Sequence, residues 1–145
     1  MRFLLLTASA FSLITGCNGA RSEAVQRELD RLQGTWIGIS YTDAQRTLDA
    51  RDLGMSLVIN GDTFSIRAGD RVDAQGRLAL DPKHSPKTID FLEDNATRIG
   101  IYELYGDSLR ICYDPTGEER PTKLEVKPRS PLLLFVLQRQ KSAPG

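Results

Sequence analysis

The hydrophobic period of the chain changes once, at Gly34, and that change restricts the fold more than any other feature. Before it, Val25, Leu29 and Leu32 recur at helical spacing. After it, apolar and polar residues alternate over short runs, the period of half-buried strands. The runs are Thr35 to Tyr41, Met55 to Asn60, Thr63 to Arg67, Arg77 to Leu80, Thr88 to Leu92, Arg98 to Leu104, Ser108 to Tyr113 and Leu132 to Gln138. Turn signals separate them at Asn60-Gly61-Asp62, Asp73-Ala74-Gln75-Gly76, Glu93-Asp94-Asn95 and Tyr105-Gly106-Asp107. About eight short strands at hairpin spacing predict an all-β, antiparallel, up-and-down barrel, because closure removes exposed edges. A longer connection, Asp114 to Lys123, carries Pro115, Gly117 and Pro121, and Pro128 with Pro131 should keep the last connection extended. The stretch Thr42 to Gly54 has no clear period; a lid, a short helix or part of the first hairpin all fit it.

The helix ahead of the switch is expected over Glu23 to Leu32, capped by Ser22 and stopped by Gly34. Glu23 with Arg27, and Glu28 with Arg31, are expected on its outer face as supporting pairs. The chain's 145 residues, 26% charged and 40% hydrophobic, suit one globular core without disulfide staples. Its 19 Lys and Arg balance 19 Asp and Glu, which argues against an electrostatic nucleic-acid binder. One His and two Cys are too few soft ligands for a zinc site at the usual spacings. Phosphate-cradling loops, nucleophile elbows and calcium loops are not found either, so no metal, cofactor or catalysis is expected.

The first residues form an address. Met1-Arg2-Phe3 opens an apolar stretch through Ile14, too short for a spanning helix of about 20 residues and patterned as a secretory signal. Its end, Leu13-Ile14-Thr15-Gly16-Cys17, resembles a bacterial lipobox. That resemblance implies cleavage before Cys17, diacylglyceration of its thiol and usually acylation of the new amine. Two or three acyl chains anchor a protein stably where one would not. Asn18 rather than Asp after the cysteine slightly favours an outer-membrane destination. The expected organisation is a signal peptide at 1–16, a lipidated tether at 17–22, the barrel domain at 23–140 and a loose tail at 141–145. Removing Arg2 leaves a slight acidic excess, so the lipid, not charge, attaches the chain to a bacterial membrane. The domain then faces the periplasm or the cell exterior.

Gly34-Thr35-Trp36, after a short helix and at the head of the first strand, resembles the Gly-x-Trp motif of lipocalins. The resemblance implies that Trp36 closes the barrel floor and that Arg139, after the last strand, lies across its indole. Such a cation–π contact is worth about 0.5–2 kcal/mol. A plain core Trp36 with a solvated Arg139 is the simpler alternative. A second resemblance spans most of the domain. Leu32 to Trp36, Asp81-Pro82 through Pro86 to Asp90, Gly100 to Leu104, Gly106 to Tyr113 and Arg120-Pro121 are similar to an uncharacterised lipocalin-like domain family abundant in planctomycete bacteria. It implies a lipocalin-type barrel and an exported context, and it carries no established activity. Cys112 matches that family's cysteine, which implies packing, and His84 lies in a variable part of the pattern. A Cys112–His84 catalytic pair is therefore not expected.

Lys87, Asp90, Glu103 and Arg120 are the charges embedded in those blocks. They could meet at one barrel end as a clamp for a ligand head group, or form a structural network that fixes the loop Asp114 to Pro121. Phe64, Ile66, Tyr102 and Tyr113 are candidate interior positions, as core or as pocket lining. Asp62 and Asp107, each after a glycine, are expected only to turn the chain. Two functions follow. One is a non-catalytic envelope lipoprotein that encloses a small apolar or amphipathic molecule in its barrel. The other is a structural or protein-interaction lipoprotein with a filled barrel and a protein partner at the envelope. A cavity above roughly 300 Å³ favours the first, and large side chains meeting across the axis favour the second.

Overall fold

The computed structural model describes residues 18–141. The expected signal peptide, the expected lipidation site Cys17 and all but Lys141 of the expected tail lie outside them. One helix, α1 (Asn18–Leu32), precedes nine strands: β1 (Gly34–Thr42), β2 (Thr47–Asp49), β3 (Met55–Asn60), β4 (Thr63–Ala68), β5 (Arg71–Asp81), β6 (Thr88–Leu92), β7 (Thr97–Tyr105), β8 (Ser108–Asp114) and β9 (Leu133–Arg139). From β3 onward each strand pairs antiparallel with the next, and β1 pairs with both β3 and β9. That closes an eight-stranded antiparallel barrel of lipocalin-like form. The ninth strand, β2, lies outside the ring and pairs with Ser40 to Thr42, beyond the part of β1 that β3 occupies. The unassigned stretch Thr42 to Gly54 is thus part of the first hairpin, helped by Ala50 N–H donating to the Ile39 carbonyl at 3.1 Å.

The alternation places one row of each strand inside. Trp36, Leu57, Ile59, Phe64, Leu78, Ile89, Phe91, Tyr102, Leu109, Ile111, Tyr113, Phe135 and Leu137 are all buried in one core. Leu29 and Leu32 join it from α1, with Val25 packed at its edge, so the helical stripe seals one end. We call that end the floor. The other end, where β1 finishes and β5 begins, is the mouth. Gly34 joins helix to barrel at φ 114°, a conformation that side-chain-bearing residues rarely adopt.

Four local expectations are corrected. The helix begins at Asn18, not Glu23, so Ser22 lies within it. Asp73 to Gly76 is not a turn: β5 runs through it, and the chain reverses earlier, at Gly69-Asp70. Gly76 is needed for another reason, since a Cβ there would collide with the Leu92 carbonyl where β5 coils against β6. Pro128 and Pro131 do not hold the chain extended; the Ser130 N–H donates to the Lys127 carbonyl at 3.1 Å, and Arg129 takes φ 67°. Finally, Glu28 does not face outward. It is 4% exposed and points at the barrel floor.

The segment from Pro115 to Leu132 carries no regular structure and lies across the outside of β7 and β8. It covers Ile101 and Cys112, outward-pointing residues that are nonetheless buried. Arg110 donates to the Leu124 carbonyl, and the Cys112 thiol to that of Glu125.

Candidate functional site

The barrel interior is the first place to look for a ligand, and it is full. Phe64 meets Phe91 edge-on at 5.0 Å, Phe91 meets Tyr113 at 5.9 Å, and Tyr113 stacks on Phe135 at 5.7 Å. Tyr41 extends this chain of rings to the mouth, 5.1 Å from Phe135. The space left among Met55, Leu57, Ile66, Phe91, Ile111 and their neighbours is about 10 Å³. A single water needs about that much, and small-molecule sites are typically 300–1,000 Å³. Phe64, Ile66, Tyr102 and Tyr113 all point inward, but they are packed against one another and their neighbours rather than around an opening.

At the mouth, Arg98 shares the inward parity of Gly100 and Tyr102. Its guanidinium bonds Glu93 at 2.8 Å and lies 5.8 Å from the centroid of the Tyr113 ring. It also donates to the Tyr113 hydroxyl at 3.4 Å. The interior is therefore roofed by an ion pair resting on an aromatic face. Burial raises the pKa of Tyr113 more than the neighbouring Arg98 lowers it, so its hydroxyl stays protonated.

At the floor, the Arg139 guanidinium sits 4.2 Å from the centroid of the Trp36 ring. It also donates to the Gln33 carbonyl at 2.6 Å, the Arg31 carbonyl at 2.7 Å and Asp107 at 3.2 Å. The Trp36 indole N–H donates to the Leu32 carbonyl at 2.9 Å. The last carbonyls of α1, which the helix itself leaves unpaired, are satisfied by the barrel's closing pair. Asp107 consequently does more than turn the chain.

Beside this pair lies a cluster the sequence reading missed. Glu28 accepts from Lys87 Nζ at 2.5 Å, from the Tyr102 hydroxyl at 2.8 Å and from Arg31 at 2.7 Å. Burial raises the Glu28 pKa, but the bonds from Lys87 and Tyr102 and the charges of Lys87 and Arg31 outweigh it, and the carboxyl ends below its ordinary value. Burial, then the Glu28 carboxylate, push Tyr102 upward. The signal was available: Glu28 falls three residues after Val25 and four before Leu32, inside the apolar stripe.

The four charges do not converge as one clamp; two of them, Asp90 and Arg120, meet in the loop-fixing role that was the alternative. Lys87 serves Glu28 at the floor. Asp90 pairs with Arg120 through bonds of 2.6 and 3.2 Å, and Arg120 also donates to the Gly100 carbonyl at 2.8 Å, pinning the irregular segment to the barrel wall. Glu103 is exposed, opposite Arg110 in register, and has no ion pair among the described residues. Asp114, 2% exposed, holds the start of the same segment by accepting from the Thr116 and Glu119 N–H groups and the Thr116 hydroxyl. Burial raises its pKa, these bonds lower it further, and the net shift is downward. Cys112 is fully buried, and burial pushes its thiol up to about 11, the opposite of an activated nucleophile. His84 bonds the Pro86 carbonyl at 2.8 Å in the β5–β6 loop.

Among the described residues, two sizeable concavities lie on the outside. One, about 280 Å³, lies between the irregular segment and the barrel, lined by Asp114, Glu119 to Lys123, Glu125, Lys127 and Ser130 to Leu132. The other, about 560 Å³, is a polar saddle on β3 to β5 lined by Asn60, Ser65, Arg67, Gln75 and Arg77 among others. Comparison of the chain with protein-family models, curated proteins and solved structures gives no match.

Proposed function

We propose that this chain is a non-catalytic, exported lipoprotein whose solid lipocalin-like barrel works through its outer surface, as a structural or protein-binding module at a bacterial envelope. The observation that carries this reading is the interior: a run of aromatic rings crosses it and leaves about 10 Å³. The lipobox-like end of the leader supports anchorage through Cys17, with the outer membrane slightly favoured. The lipocalin-like domain family abundant in planctomycete bacteria, which the domain resembles, fits an exported barrel of this kind. The Trp36–Arg139 contact then locks the helix that joins lipid to barrel, so force or orientation at the anchor passes to a rigid body. Enclosure of a small apolar or amphipathic molecule is the second reading, favoured by the closed barrel form. It requires Arg98 to swing out and the rings beneath to rotate.

The test is native mass spectrometry of the full chain purified from envelope in detergent. The expected species begins at Cys17, carries acyl mass that Cys17→Ser abolishes, and holds no other small molecule. A companion of defined mass inside the protein, released on denaturation, would overturn the solid-barrel reading in favour of enclosure. An unacylated chain would overturn the anchor without touching the barrel.

A further inference from the structure

We propose that the cleft between the segment Pro115 to Leu132 and the barrel wall binds a small zwitterion, a compact molecule with an ammonium and an anionic group. The site depends neither on the barrel interior nor on acylation. Connections longer than about 12–15 residues without regular structure are usually functional or disordered. This segment is longer than that and held in place, by the Asp114 carboxylate, by the Arg120–Asp90 pair and by the Arg110 and Cys112 side chains. Arg129, between Pro128 and Pro131, is kept at φ 67°, a conformation that costs energy and persists only where the surroundings impose it.

Those anchoring contacts use some charges and leave others. Asp114 and Arg120 are occupied in holding the segment. Lys123, Lys127, Glu119 and Glu125 line the same cleft, and none has an ion-pair partner among the described residues. Pro121, buried, adds apolar surface to the same lining. A simple anion placed there gains two ammonium groups but faces two carboxylates, and a simple cation meets the reverse. A molecule bearing both signs can satisfy both, and the volume of about 280 Å³ suits one at the small end of ligand size. An amino acid or short peptide and a phosphoethanolamine lipid headgroup share this chemistry.

Isothermal titration of the purified full chain tests it, with glycine, alanyl-alanine and phosphoethanolamine as probes and acetate and methylammonium as single-charge controls. At least one zwitterion is expected to bind, and more tightly than either control. Lys123→Met with Lys127→Met, and separately Glu119→Gln with Glu125→Gln, should each weaken it by roughly tenfold or more, the effect of losing a charge-assisted hydrogen bond. Binding of glycine or alanyl-alanine alone would identify an amino-acid or peptide source; binding of phosphoethanolamine alone would identify a headgroup. No binding by any probe overturns the proposal. So does a single-charge control that binds equally well, or charge-neutral variants, with unchanged melting temperatures, that bind as the parent does.

Discussion

Glu28 shows how much one side chain can contribute when a helix must dock on a barrel. A carboxylate that is 4% exposed would be costly alone, yet it accepts three hydrogen bonds from Lys87, Tyr102 and Arg31. Lys87 is 36% exposed, so removing the carboxylate leaves an ammonium that water can reach. Glu28→Gln should therefore cost about 2 kcal/mol, the range for hydrogen bonds to charged groups, below the larger losses of fully buried pairs. Denaturant unfolding at neutral pH measures it. The pH dependence has a definite sign. The folded pKa lies below the ordinary 4.5, so the Glu28 contribution is complete above that pH and disappears as pH falls through the folded value. The parent should lose stability in acid below about pH 4.5, and Glu28→Gln should show a flatter curve there, the remaining slope including Asp114. An unchanged slope would mean that Glu28 titrates alike in the folded and unfolded chains.

Among the elements, the strands were legible in the sequence because burial on one face imposes a period of two. Met55 to Asn60 and Thr88 to Leu92 match to the residue. What the sequence hid were places where a polar or glycine residue has a tertiary cause. Asp73-Ala74-Gln75-Gly76 carries turn residues, yet β4 pairs along it and Gly76 answers to the Leu92 carbonyl on a neighbouring strand. Arg98 sat at an inward position by simple counting, but its charge disguised the alternation. Of the candidate sites, Trp36 and Arg139 do meet, and Asp90 meets Arg120 on the outer wall, whereas Lys87 goes to Glu28 at the floor and Glu103 joins neither, because blocks that are close in sequence end at different places on the barrel. Gly76→Ala should destabilise by about 1–3 kcal/mol, the usual cost of overpacking, and raise hydrogen exchange in β5 and β6 ahead of β8 and β9. Equal exchange throughout would place the strain elsewhere than the β5–β6 contact.

For the whole molecule, the question is whether the barrel is solid by necessity or merely at rest. Phe91 touches both Phe64 and Tyr113 and is 2% exposed, so it sits where the rings from the two sides of the barrel meet. Phe91→Ala should cost about 3–5 kcal/mol, combining lost transfer energy with the void left behind. If the Arg98–Glu93 roof and the floor formed by α1 keep the frame rigid, the void persists. A dry apolar void of that kind binds benzene-like molecules. Benzene should then raise the melting temperature of the Phe91→Ala variant and leave the parent unmoved. A parent that gains stability from benzene already opens at equilibrium, and enclosure becomes its function. A variant that gains none has collapsed, so its rings are free to move and the solid interior is one arrangement among several. Only the first pattern, a silent parent and a responsive variant, makes the filled barrel a fixed scaffold whose work is done on its outside.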